Sequence, residues 1–169
     1  MRRGLIAVAV MVGCQTATTR PGFAPVPDAS STQLRLAVAP ITEMLAARLR
    51  ADSIPLRIAE PRDGYIESEW INAPGWEVVQ GRPMGPAMDK VRIWIDPLEV
   101  PLQPGGPARS RVTVEIVYRY LADPSRDPRE FERHVHAGHV TNLKVRAALR
   151  PLVERYGDLA AFEADTTDG

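Results

Sequence analysis

The chain has 169 residues, 44% of them hydrophobic and 25% charged, with 21 Lys and Arg against 21 Asp and Glu. That is enough apolar material for one packed core, and no segment sets Lys and Arg on one face among aromatics, which excludes the electrostatic footprint of a nucleic-acid binder and leaves anionic-lipid binding unsupported. Cys14 is the only cysteine, so an intramolecular disulfide is excluded and packing must hold the folded part.

Arg2 and Arg3 precede an apolar run from Leu5 to Val12. Eight residues of helix rise about 12 Å, far less than the hydrocarbon core of a bilayer, so the run does not span a membrane and has instead the pattern of a cleaved export signal. Met11-Val12-Gly13-Cys14 resembles the bacterial lipobox, with Met11 where leucine is usual. The resemblance implies a signal peptide over 1–13, cleavage between Gly13 and Cys14, and acyl chains on Cys14. One acyl chain holds only marginally, whereas the family's two or three hold firmly. Gln15 is similar to the neutral residues that permit sorting to the outer membrane, so the resemblance implies an outer-membrane lipoprotein whose domain faces the periplasm. Cleavage removes Arg2 and Arg3, leaving 19 basic against 21 acidic residues.

Residues 14–32, rich in Thr, Ala, Pro and Ser, are expected to form a flexible tether after the lipidated cysteine, because such a composition does not offset the entropy of ordering it. The folded domain is expected over 33–157. Ile41, Met44, Leu45 and Leu49 recur at helical spacing and predict a helix over 40–51; Leu34, Leu36 and Val38 either extend it backwards or form a short strand. Ile54, Leu56 and Ile58 alternate, and after the turn chemistry of Pro61-Arg62-Asp63-Gly64 a second strand follows over 66–71, giving a β-hairpin. Strands are expected over 90–100 and 111–121, separated by Pro104-Gly105-Gly106-Pro107. Val145, Ala148, Leu149, Leu152, Val153 and Tyr156 predict a helix over 142–156, kinked at Pro151 and ended by Gly157. Residues 158–169 read as an acidic, disordered tail. The expected fold is α+β: a four-stranded antiparallel sheet with both helices on one face, in the order helix, β-hairpin, β-hairpin, helix.

The run from the first helix through Ile58-Ala59-Glu60-Pro61-Arg62-Asp63-Gly64-Tyr65-Ile66-Glu67-Ser68-Glu69-Trp70 resembles the domains of BamC-type lipoproteins, in which a helix leads into a hairpin with Asp-Gly at its turn and a tryptophan closing its second strand. The resemblance implies a non-catalytic accessory subunit of the machinery that inserts β-barrel proteins. The chain has room for one such domain, where BamC carries two, and its tether has no segment matching the one with which BamC binds its partner.

Four groups of residues remain as candidate sites. His134, His136 and His139 lie within six residues, and a zinc site would need an acid to complete it; a polar loop with solvated histidines is the alternative. Asp63, Glu67 and Glu69 could act as paired acids, but Glu67 and Glu69 share the outward face of a strand, and a solvated strand face is the expectation. Trp70 and Trp94 are expected in or at the edge of the core. The long connection over 73–88 carries Trp76, Met84 and Met88, an aromatic with flexible thioethers that suits partner docking or folding back over the sheet. No nucleophile elbow or phosphate loop occurs, and no catalysis or cofactor is expected. The functional expectation is a membrane-anchored interaction subunit of an envelope complex, with an acyl-binding auxiliary of a lipid or lipopolysaccharide transport system as the alternative.

Overall fold

The computed structural model describes residues 18–81, 88–98, 108–120, 123 and 125–164. Two ten-residue strands, β6 (Met88–Pro97) and β7 (Ser110–Arg119), pair antiparallel over nine positions and form the middle of the sheet. Their strict alternation sorts the faces. Val91, Ile93 and Ile95 stand opposite Ile116, Val114 and Val112 on one face, while Lys90, Arg92 and Trp94 stand opposite Val117, Glu115 and Thr113 on the other.

Around this pair the order is β1 (Ser30–Leu34), β7, β6, β3 (Tyr65–Ser68), β2 (Leu56–Glu60); β4 (Ile71–Asn72) continues along β6 and pairs with β5 (Glu77–Val78), and β8 (Glu132–His134) pairs with the end of β7. Helices α1 (Val38–Ala51) and α2 (Val140–Tyr156) cover the apolar face. Ile41, Leu45, Ala46 and Leu49 of α1 and Val145, Ala148, Leu149, Leu152 and Val153 of α2 are buried there against Ile66 of β3 and the β6 and β7 side chains. Pro40 is tolerated in the first turn of α1, and α2 continues through Pro151.

The expected four-stranded sheet with two helices is therefore corrected: the sheet has eight strands, and a third helix, α3 (Leu159–Ala164), follows α2. The physical reason lies in what the extra elements are made of. Strands β4, β5 and β8 are two or three residues long, too short to show a period of two. Strand β1 is Ser-Ser-Thr-Gln-Leu, a polar string held by its ladder to β7 rather than by an apolar alternation. In α3, Phe162 is buried against the core, so residues 159–164 of the expected disordered tail are helical.

The tether reading is corrected as well over residues 18–32. These lie along the second face of the sheet as a strap and then enter β1.

Candidate functional site

The second face begins with the alternation of Lys90, Arg92 and Trp94, which faces Tyr65 and Glu67 of β3 on one side and Glu115 of β7 on the other. Arg92 donates to both oxygens of Glu132, at 2.7 and 2.9 Å, and to Glu115 at 2.9 Å. Arg129, brought in by a 3-10 turn over Pro128–Phe131, grips both oxygens of Glu115 at 2.7 and 3.1 Å. Glu67 accepts from Lys90 at 2.8 Å, from Arg57 at 2.9 Å and from the Tyr65 hydroxyl at 2.6 Å. These are charge-assisted bonds in a place where an unpaired charge would cost several kcal/mol.

Burial by itself would raise the Glu67 carboxyl, and the bonds from Lys90 and Tyr65 outweigh it and hold the group below its ordinary value. Glu115 is buried likewise, and Arg129, Arg92 and the Val26 amide hold it down. Burial and the bond to Glu67 push the Tyr65 hydroxyl far up, so it stays a donor. Every carboxylate of the layer is spoken for, which makes it a structural plate.

The strap seals this plate. Phe23 lies edge-on to Trp94, with the Arg129 guanidinium 3.9 Å and that of Arg92 5.2 Å from its ring centre. The Val26 amide donates to Glu115 at 3.0 Å and Arg129 donates to the Ala24 carbonyl at 3.0 Å. At one end Arg20 donates to the carbonyls of Asp63 and Ile95, at 2.5 and 2.8 Å, and to the Asp96 carboxylate at 2.5 Å. Asp63 in turn accepts from the Thr19 amide at 2.6 Å and from the Thr18 and Thr19 hydroxyls. Those bonds hold the Asp63 carboxyl below its ordinary value. Gly64 is required here: its φ is +61°, and a Cβ would collide with the Ile95 carbonyl and Val38.

The antiparallel ladders give the sheet two distinct ends. The β2–β3 turn, the start of α1, the last turn of α2 and the Arg20 clasp share one, which we call the Asp63 end; β8, the start of α2 and the β4–β5 hairpin share the other, the His139 end.

At the His139 end His134 stands apart from His136 and His139, whose rings meet. His134 lies on β8 opposite Val117, half-buried, its Nε2 without a hydrogen-bond partner among the described residues, and burial lowers its pKa. His136 is exposed, with its ring edge-on to His139 at 5.7 Å. His139 caps α2 by accepting from the Thr141 amide at 3.3 Å, and its Nδ1 stands 3.2 Å from Asp89. Thr141 also donates its hydroxyl to Asp89, a fully buried carboxyl whose pKa burial raises. Among the described residues no group of three or more His, Cys, Asp or Glu is arranged to hold a metal ion.

Trp76 ends the β4–β5 turn at φ +62°, a backbone region unusual for an aromatic residue. Its ring packs partly against the core, with the Lys144 ammonium 3.6 Å from the ring centre. Met88 opens β6, half-buried, opposite Asn72. Met84, Gly13 and Cys14 lie outside the described residues. Glu67 corrects the expectation of a solvated strand face, since it is 4% exposed. Trp94 is buried, though on the charged face, and Trp70 lies beneath Lys90 and Arg119.

What sequence reasoning missed is the strap and the plate. The available signal was Lys90-Val91-Arg92-Ile93-Trp94 itself: basic residues alternating through a ten-residue central strand require acids opposite them or a solvated face. Comparison with protein-family models, with curated proteins and with solved structures finds no match for the chain.

Proposed function

We propose that the chain is a non-catalytic lipoprotein, anchored through acylated Cys14 in the outer membrane, whose domain serves as an interaction subunit of an envelope-biogenesis complex of the β-barrel assembly type. The observation that carries the reading is the distance between anchor and clasp. Cys14 precedes Thr18 by four residues, and Thr18 is already bonded to Asp63. Four residues of chain reach at most about 14 Å, so an acyl anchor at Cys14 would hold the Asp63 end close to the bilayer. The His139 end, with Trp76, would then point away from it. This is a geometry for presenting a surface at fixed height, and it supports a role in contact rather than turnover.

The acyl-binding alternative gains nothing from the described residues. The face between helices and sheet is filled by side chains, and a groove outside it beside β1 mixes Leu34, Tyr156 and Leu159 with Arg35, Arg109 and Arg111 and lies open.

The test is purification of the native protein from its own envelope in mild detergent, with Cys14→Ser as control. Acyl mass on an N-terminal Cys14 peptide, together with barrel-assembly subunits in stoichiometric amount, is the expected result. Loss of membrane association only in the control supports the anchor by itself. Recovery of the protein alone, or with bound lipid, removes the interaction reading.

A further inference from the structure

Strand β1 is an open edge. Among the described residues it pairs only with β7, and its outer side carries no further strand. Exposed edges offer unpaired N–H and C=O groups, and folded proteins ordinarily blunt them with prolines, charges, bulges or shortness. The other edges here are blunted in those ways. Strand β2 has Pro55 before it, Pro61 after it, a register shift and Arg57 within it, and β5 and β8 are two and three residues long. Strand β1 has five residues, Ser30 to Leu34, with neither a proline nor a charge and an unbroken register.

Beside this edge runs an open groove of about 870 Å³, floored by β1 and walled by the chain from Tyr156 to Ala161. Arg35, Arg109 and Arg111 line it. Among the described residues the Arg109 side chain donates only to Gln33, at 3.0 Å, and no described acid lies in ion-pair contact with Arg35 or Arg111. Asp96, opposite Arg111 in the ladder, is held by Arg20, and Asp158, which also lines the groove, accepts from the Ala161 amide and pairs with none of the three arginines among the described residues. The groove thus joins a row of free backbone groups to three cations at one end.

We propose that the β1 edge and this groove bind an extended segment of a partner protein, which adds to the sheet as a further strand and sets carboxylates against Arg35, Arg109 and Arg111. The backbone ladder supplies affinity, and the arginines choose the sequence. Five residues of β1 span about 17 Å, room for a segment of five or six residues. The inference shares with the interaction reading above only a protein partner; the groove lies at the Asp63 end rather than the His139 end, and it does not need the acyl anchor.

The test uses the full chain carrying Cys14→Ser, so that failure of anchoring cannot affect it. The probes are fluorescein-labelled Thr-Val-Thr-Val-Glu-Glu and the same peptide in reverse order, each with a Lys-for-Glu counterpart and a version N-methylated at alternate residues. One Glu peptide should give a saturable rise in fluorescence polarisation, its Lys counterpart should bind about tenfold more weakly, and N-methylation should abolish binding. Arg35→Glu combined with Arg111→Glu, both at exposed positions, should invert the preference toward the Lys peptide, which a folding defect would not do. Equal binding of Glu and Lys peptides, indifference to N-methylation, no binding of either Glu peptide, or a dimer in sedimentation joined through β1 would each overturn the proposal.

Discussion

Glu115→Gln is the sharpest probe of the buried plate, because it removes a charge and keeps the shape. The Glu115 side chain is 0% exposed; it receives Arg92 at 2.9 Å, Arg129 at 2.7 and 3.1 Å, and the Val26 amide at 3.0 Å. Breaking a buried ion pair by neutralising one partner costs about 3–5 kcal/mol. Glutamine retains one acceptor oxygen, and Arg92 and Arg129 both keep Glu132, so the lower end, about 3 kcal/mol, is expected. That is a large share of the roughly 5–15 kcal/mol that holds a domain together. The pH dependence gives a second reading. The folded pKa of Glu115 lies below its unfolded value of 4.5, so its contribution is complete above that value and is lost as pH falls through the folded pKa. Urea titrations followed by circular dichroism should therefore show the full gap between native chain and variant at pH 7 and a narrowing gap below about pH 4. Amide exchange at Val26 should rise in the variant at neutral pH. A gap under about 1 kcal/mol at pH 7, or one that is constant with pH, would refute the assignment of Glu115 as a charged keystone.

Arg20→Ala should free the strap: chymotrypsin cleavage after Phe23 accelerates several-fold, while global stability falls by only about 1–2 kcal/mol, because the Arg20–Asp96 pair is partly solvated. Gly64→Ala places a Cβ at positive φ against the Ile95 carbonyl, and about 2–3 kcal/mol of destabilisation is expected, read as a melting temperature lower by about 5–10 °C. Asp89→Asn carries the opposite sign. Burial raises the Asp89 pKa above its unfolded value of 3.8, so the native chain loses stability as pH climbs through that window. The variant should match or exceed the native chain at pH 7, with the advantage gone near pH 3 in denaturant titrations.

Strands β6 and β7 and the hairpin of β2 and β3 were legible because their apolar residues alternate toward the helix-covered face, although the single strand expected over 66–71 is two, β3 and β4, and α1 and α2 because theirs recur every three to four positions. The strap was not, since its grip is distributed over partners distant along the chain. Arg20 answers to residues 63–64 and 95–96, and Val26 to Glu115. No local pattern around Arg20 records them. Glu67 misled for a related reason. Its place in the alternation does put it on the polar face, but period alone does not tell a wet face from one roofed by another segment. The histidines shared a short stretch of sequence, yet β8 turns His134 away from His136 and His139, which meet beside the cap of α2.

The clasp at Arg20 also decides how the molecule would bear load. A pull applied from upstream of Thr18 enters at Asp63, Gly64, Ile95 and Asp96, where β3 begins and β6 ends. Because the clasp grips both strands at the same end, it shares the load between them, and its own bonds to four residues must part before the strap can be drawn off the sheet. The same force applied through α3 would instead first strip away six residues of helix.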